Sequence, residues 1–360
     1  MRKLKFVFVH GLSGWGSYDD LYSKLPYWGM RSGDLISYLN GLGFDSYAAS
    51  VSSTGSAWDR ACELYAQLTG SVVDYGQYHS KLYGHDRFGK DYSVRPLLPS
   101  WNDETKLVLL GHSFGGTTVR LFSEILANGS EEERRTSSSE ELSPFFAGGG
   151  KSHIHSIVTL ASPMNGTTAY DLFEDDSFDI SSVKVPWYGK VMASLLSKGT
   201  AAKRDGRDLK DYADFDMHVD NAQALNKKIS LLSNVYYFSV PCSMTKQQED
   251  GTYKHRKGME PIYALRADQI GAYSGKTKGG IDIGLCWREN DGLVNTTSAK
   301  VPCGDPSKDL NKDEIEAGIW NVHPTILGDH MWLQGGLVHK HDIKDFYVDL
   351  LNMIIELPVK

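Results

Sequence analysis

No apolar run in this sequence approaches the roughly 18–20 residues of a membrane-spanning helix, so that class of protein is excluded from the start. Basic clusters are missing as well. The chain carries 38 Lys and Arg against 45 Asp and Glu, a net charge of −7, with no stretch suited to a nucleic-acid backbone. Cysteine is scarce: Cys62, Cys242, Cys286 and Cys303 show no C-x-x-C spacing. This argues against a disulfide framework and predicts small buried apolar residues instead. They do not decide the compartment. Internal repeats are absent. The first apolar stretch, Phe6-Val-Phe-Val9, is too short for a signal-peptide core and reads as a first strand, so an export signal is expected to be missing from the chain.

What is present suits a large folded core. Of 360 residues, 41% are hydrophobic and 11% aromatic, enough for one large domain with insertions or for two domains. The chemistry centres on Lys106-Leu-Val-Leu-Leu-Gly-His-Ser-Phe-Gly-Gly-Thr-Thr-Val-Arg120. Leu107 to Leu110 reads as a short buried strand, Gly111-His-Ser-Phe-Gly115 fits G-x-S-x-G, and Thr117 onward reads as an amphipathic helix. Strand, sharp turn and helix form the context of a nucleophile elbow. A serine at so tight an apex needs glycines two before and two after it, where a Cβ would collide with backbone. The turn also sets the Ser113 hydroxyl near a helix N-terminus, where developing negative charge is favoured.

The chain upstream reads as the start of a parallel α/β sheet. Phe6–Val9 feeds the glycine-rich loop His10-Gly-Leu-Ser-Gly-Trp-Gly16. In a serine hydrolase, such a loop supplies the second oxyanion donor, here the N–H of Leu12 beside that of Phe114. Ser32 to Gly41 predicts a helix with a glycine stop, Phe44 to Val51 a strand, and Ser56 to Leu68 a helix N-capped by Ser56. The aromatic, glycine-rich segment Asp74 to Gly89 then forms an insertion. Asn128 to Leu142 reads as an exposed loop with some helix. Further strands are predicted at His153–Leu160, Asn234–Val240, Ile281–Trp287 and Gly318–Val322, and a closing helix at His341–Leu357.

An elbow serine requires a base and an orienting carboxylate, which in this fold class follow it in the order acid, then histidine. His323, His330, His339 and His341 lie after the last strand. Gly328-Asp-His330 with apolar residues following suits a partly buried imidazole at a cleft edge, which favours His330, with His323 next. Asp291, in the turn Arg288-Glu-Asn-Asp-Gly-Leu-Val294, sits where the acid belongs, with Asp268 and Asp282 as rivals. His79 and His85, with Asp59 on the preceding helix, have the donor types that suit Zn²⁺. Such histidine pairs on aromatic loops are also common as packed or surface residues.

Several segments together resemble the zinc-binding thermoalkalophilic lipases of Gram-positive bacteria and their staphylococcal relatives. They are His10–Gly16, Trp58–Leu68, Val73–Gly76, Gly84–Gly89, Gly111–Gly116, Glu289–Asn295 and Gly328–His330, and they cover nearly the whole chain. The resemblance implies an α/β-hydrolase with a central, mostly parallel sheet. Residues 1–360 would form one domain, with a zinc-binding insertion at 52–105 and a helical lid region at 166–222. It implies Ser113 as nucleophile, His330 as base, Asp291 as orienting acid, and Leu12 and Phe114 as oxyanion donors. Asp59, His79, His85 and Asp216 would hold a structural zinc, four protein ligands leaving no open position. The sequence departs from that family at Phe114, where glutamine is usual, and in a shorter lid. The family's calcium site uses a glycine that aligns near Gly258 and two carboxylates just after the histidine; Trp332 and Leu337 stand at those two positions, so no Ca²⁺ is expected there.

The implied activity is hydrolysis of carboxylic esters, foremost lipid acyl esters, with short-chain or polymeric esters as the alternative. The implied location is extracellular. Neither a nucleic-acid partner nor a transmembrane segment is expected. The apolar face from Phe173 to Leu196 would cover the cleft and open at a lipid or polymer surface, or else pack permanently on the core.

Overall fold

A computed structural model describes residues 4–172 and 206–360. Seven parallel strands form its central sheet: β1 (Leu4–Val9), β2 (Ser46–Ala49), β3 (Lys106–His112), β4 (Ile154–Leu160), β5 (Tyr236–Val240), β6 (Ser307–Asp309) and β7 (Trp320–Val322). Their spatial order is β6-β7-β5-β4-β3-β1-β2. The registers pair Val7 with Leu109, Leu109 with Ile157, and Ile157 with Tyr237. Side chains alternate across the pleat, so both faces must be covered, and β3, β4 and β5 are buried throughout and mostly apolar.

Two cores result. Phe6, Phe8, Val108, Leu110, Val158 and Phe238 point to the face covered by α1 (Leu35–Gly41) and the closing helix α5 (Lys344–Ile355). Val7, Val9, Leu107, Leu109, Ile157 and Tyr237 point to the face covered by α2 (Ala57–Thr69) and α3 (Phe114–Asn128). Each fully buried aliphatic or aromatic side chain stabilises by roughly 1.5–3 kcal/mol, so these layers dominate the fold's stability. A fifth long helix, α4 (Pro261–Ala272), lies between the sheet's C-terminal strands in the chain. Helices on both faces of a parallel sheet, with the glycine-rich turn at the end of β3, make this an α/β-hydrolase fold.

Local signals explain the element ends. Asp34 caps α1, its Oδ1 accepting the N–H of Ile36 at 3.0 Å. Ser56 caps α2 as expected, accepting the N–H of Asp59 at 3.2 Å. Other expectations are corrected. Helix α3 begins directly at Phe114 rather than at Thr117. Ile281–Trp287 is no sheet strand: Asp282–Ile283 pairs only with Gly275–Lys276, and Leu285–Trp287 is a 3₁₀ turn. Strand β6, Ser-Lys-Asp, has no apolar pattern to announce it. Cys62 and Cys242 are buried as small apolar residues, but Cys286 and Cys303 are exposed. The segment Phe173–Leu196 assigned to the cleft cover lies outside the described residues.

The inserted segment is a hairpin, Val72–Asp74 with Phe88–Asp91, enclosing the short helix Gln77–Tyr83. Glu133 fixes that helix from outside, its two carboxylate oxygens accepting the N–H groups of Tyr78 and His79 at 3.0 and 2.8 Å.

Glu63, on α2, lines a cavity of about 500 Å³ together with Trp15, Tyr18, Tyr75 and Tyr92; Ser113 is not part of its wall. Its oxygens accept the Ser52 N–H and the Tyr75 hydroxyl. Burial, and then the nearby Asp59 charge, push the Glu63 carboxyl up to about 7. The folded chain therefore keeps this proton up to about pH 7, whereas the unfolded chain releases it near the ordinary value of 4.5. Stability should fall as pH rises through that window, by roughly 3 kcal/mol from this group. Gln can accept the Ser52 N–H with Oε1 and donate to the Tyr75 oxygen from Nε2, without a charge. Glu63→Gln is thus expected to flatten the decline in melting temperature between pH 5 and about 8, as followed by thermal melts. An unchanged pH slope would refute the assignment.

Candidate active site

Ser113 joins β3 to α3 with φ 54° and ψ −130°. A non-glycine residue held there stores strain of order 1–3 kcal/mol, and such strain concentrates at functional turns. The two flanking glycines make the turn possible. A Cβ on Gly111 would lie 2.3 Å from the Gly115 carbonyl oxygen, and one on Gly115 would lie 2.2 Å from that of Val9. Ser113 N–H donates to Leu160 O at 2.8 Å, anchoring the apex to β4.

His330 arrives from the loop after β7. Its Nε2 lies 2.9 Å from Ser113 Oγ, and its Nδ1 lies 2.9 Å from Asp291 Oδ2. Asp291 is fully buried, and its other oxygen accepts the N–H groups of Leu293 and Val294 at 3.0 and 2.8 Å. Those bonds and the imidazole satisfy both carboxylate oxygens. A main-chain bond from His330 N–H to Asp291 O, 2.9 Å, locks the two loops together. Nδ1–H therefore donates to the carboxylate, and Nε2 is left to accept the serine proton.

The structure thus unites Ser113, His330 and Asp291 and leaves their rivals elsewhere. His323 bonds to Pro324 O, Asp268 pairs with His255, and Asp282 pairs with Lys276. Leu12 follows Gly11, whose added Cβ would lie 2.7 Å from Ser113 Cβ, so the first loop runs directly beside Ser113. Among the described residues, no acceptor takes the N–H of Leu12 or of Phe114. Both are available to a developing oxyanion.

A second layer was not foreseen. The Tyr27 hydroxyl accepts Gly11 N–H at 3.1 Å and donates to His112 Nδ1 at 2.6 Å. His112 Nε2–H then donates to the His330 carbonyl at 3.0 Å. Burial, followed by the neighbouring His330, holds His112 well below the usual imidazole range and so neutral. The variable position of G-x-S-x-G was the available signal for His112; Tyr27 had none.

The metal-type donors also converge, with one correction. Asp59, His79, His85 and Asp211 bring one ligand atom each to within 4.8 Å of one another. Asp216 was expected in the fourth place, but its Oδ2 instead accepts Ala57 N–H at 2.7 Å. Burial, then the repulsion of the Asp211 charge, raises the Asp216 carboxyl to about 7. Asp211 takes the inner position because the 3₁₀ turn Leu209–Asp211 carries it against Ser56, whose hydroxyl donates to it at 2.7 Å. The signal for Asp211 was only one aspartate among several in a charged run.

His79 Nε2 stands 3.2 Å from Asp59 Oδ1 and 3.1 Å from Asp211 Oδ1, and His85 Nε2 stands 3.3 Å from Asp211 Oδ2. Donors on a tetrahedral zinc, with Zn–N of about 2.0–2.1 Å, would be about 3.3 Å apart. Among the described residues, two of the atoms, Asp59 Oδ1 and His85 Nε2, are buried without a hydrogen-bond partner. His85 Nδ1 bonds to Asp86 O at 2.8 Å, leaving the Nε2 lone pair facing carboxylates. That arrangement fits a cation between them. Trp58 stacks on His79 with ring centroids 5.0 Å apart, and Arg207 adds its guanidinium to Asp59 and Asp211 from the outer side.

Just after Gly258 a carboxylate holds the loop that contains Leu337. Glu260 Oε1 accepts the N–H groups of Leu337, Val338 and His339 at 2.7, 2.6 and 2.9 Å. Leu337 thus contributes its backbone there, and its side chain is buried.

The sequence matches the family described as Lipase-like, C-terminal domain, over residues 2–185 and 203–357. It is 31% identical to Lipase 2 of Staphylococcus aureus over 388 residues, covering 99% of this chain and 54% of that protein. The chain spans about half the length of the curated relatives it matches. Among solved structures it is similar to EstA from Clostridium botulinum, with a TM-score of 0.85, 32% identity, and coverage of 99% of this chain and 88% of that one. It is also similar to lipase 1 from Pelosinus fermentans, with a TM-score of 0.81, 33% identity, and coverage of 99% and 100%.

Proposed function

The chain belongs to the lipase-like family, and on that premise we propose that it is a serine hydrolase of carboxylic esters, acting foremost on lipid acyl esters. One observation carries the reading: the unbroken series Ser113 Oγ, His330 Nε2, His330 Nδ1, Asp291 Oδ2, with 2.9 Å at each hydrogen bond. Ser113 Oγ attacks the ester carbonyl carbon while His330 Nε2 takes its proton. Asp291 stabilises the imidazolium that forms. The N–H groups of Leu12 and Phe114 receive the oxyanion. Collapse breaks the ester C–O bond, His330 gives its proton to the leaving alcohol, and water releases the acyl group by the same steps.

A structural metal belongs to the same reading. Asp59, His79, His85 and Asp211 would hold Zn²⁺, tying α2 to the inserted segment and to the chain around Asp211. When bound, it would supply cross-linking and charge compensation rather than a water nucleophile, because four protein donors fill a tetrahedral site. Extracellular location and action at a lipid or polymer surface complete the proposal.

The experiment is a substrate panel: emulsified long-chain triacylglycerol, a soluble short-chain p-nitrophenyl ester and a polyester film, each with Ser113→Ala as control. Hydrolysis of the emulsion, rising above the solubility limit of the ester, is expected for a lipase. Turnover of the short ester and the film, with an inert emulsion, would move the reading to a short-chain or polyester esterase. Silence on all three would overturn it.

A further inference from the structure

Arg60 is fully buried on α2, one position after the metal-site residue Asp59. Among the described residues it forms no ion pair. Its donors go to uncharged oxygens: Nε to Thr118 Oγ1 at 2.9 Å, Nη1 to Ser52 O at 2.8 Å and, at the long distance of 3.4 Å, to Gly11 O, and Nη2 to His10 O. A cation removed from water without a paired carboxylate is strongly disfavoured, so its retention needs a reason.

The acceptors supply one, because they belong to the two segments that flank Ser113. His10 and Gly11 lead directly into Leu12. Thr118 lies in the first turns of α3, where its hydroxyl donates to Phe114 O at 3.1 Å, and the guanidinium carbon sits 5.1 Å from the centre of the Phe114 ring. One rigid fork therefore spans the loop bearing the Leu12 N–H and the helix start bearing the Phe114 N–H. Gly11 C=O and Leu12 N–H share a single peptide unit. His10 Nδ1 donates to that carbonyl at 2.8 Å and Arg60 more weakly, which polarises the unit and makes its N–H a stronger donor. On the far side Glu63 holds the Ser52 N–H, one peptide before the carbonyl that Arg60 binds, which anchors the same residue.

We propose that Arg60 is a positioning residue of the oxyanion hole. It sets the spacing of the two N–H donors and places a fixed positive charge behind the oxygen that becomes negative in the transition state. This rests on the ester-hydrolase reading. It also gives α2 two ends of one task, with the metal donors fastening the helix from which the fork reaches inward.

The test compares Arg60→Met, Arg60→Lys and Thr118→Val with the parent on a soluble p-nitrophenyl ester, with thermal melts on each. Methionine fills similar volume without charge, so Arg60→Met is expected to fold, with a melting temperature lowered by the buried acceptors that lose their donor. Its kcat should fall about 10- to 100-fold with KM within about twofold, the pattern of a lost transition-state interaction. Arg60→Lys, keeping the charge without the fork, should recover part of that loss. Thr118→Val leaves the buried arginine in place and should lower kcat about threefold or more with little thermal change; it decides the matter if the methionine variant does not fold. Folded Arg60→Met with kcat within twofold of the parent, or losses confined to KM, would overturn the inference while the parent's activity upheld the hydrolase. A parent inert towards every ester, like Ser113→Ala, would overturn both.

Discussion

Ser113→Ala is expected to reduce kcat for ester hydrolysis by about 10⁴- to 10⁶-fold, leaving substrate binding and the fold in place. The size follows from the site acting as a unit. Without Oγ there is no acyl-enzyme, and His330 and Asp291 have nothing to activate except water. The residual rate would come from Leu12, Phe114 and the binding surface. The mutation removes one partly desolvated hydroxyl and its bond to His330 Nε2, so stability should move by no more than about 1 kcal/mol. The turn adds a discriminating control. Because φ at Ser113 is 54°, Ser113→Gly should be as inactive as Ser113→Ala but more stable, by roughly 1 kcal/mol, since glycine relieves strain that alanine keeps. Titration with an organophosphate on the parent and both variants, alongside thermal melts, checks both halves. Retention of more than a tenth of parental activity in Ser113→Ala would abolish the serine mechanism.

Metal removal should produce the opposite pattern. Chelation of metal-loaded protein is expected to lower the melting temperature by about 5 °C, corresponding to roughly 4 kcal/mol for a ligand present at a thousandfold above its dissociation constant. The initial rate at 25 °C should fall far less, within about threefold, because Ser113, His330 and Asp291 bond to one another and not to the metal donors. His85→Ala should reproduce the thermal loss and bind no zinc, as measured by metal analysis after dialysis, since it removes a buried Nε2 that has no hydrogen-bond partner among the described residues. Should chelation abolish the rate with the melting temperature unmoved, the metal would belong to the chemistry, and the structural assignment would fall.

Most of the site was legible because its constraints are local. The elbow declares itself through glycines that backbone contacts demand at Gly111 and Gly115, and α2 through its Ser56 cap. Asp291 and His330 were readable as types of turn after predicted strands, with rivals that only folding could eliminate. What failed was set by tertiary contact. Asp211 displaced Asp216 because Ser56 hydrogen-bonds the first and the Ala57 N–H claims the second, and neither bond is visible in a run of alternating acids and bases. Strand β6 carries the polar Ser-Lys-Asp at a sheet edge, where pairing with β7 decides conformation without an apolar pattern. Arg60 and Tyr27 gave no warning, since a buried cation and a buried hydroxyl are recognised only through their partners.

The order β6-β7-β5-β4-β3-β1-β2 has a consequence for how the protein matures. The elbow and the loop beside it depend on β1, β3 and β4, all supplied by the first 160 residues, and the fork from α2 lies within the same span. His330 reaches Ser113 across 217 positions of sequence, one of the longest closures in the chain. Loop-closure entropy makes such contacts late ones. On a ribosome or in a refolding tube, the nucleophile and its oxyanion donors can be shaped while the base is still unstructured chain. If the proposed roles hold, the chain would stay chemically silent through most of its folding and acquire reactivity only when the segment after β7 docks.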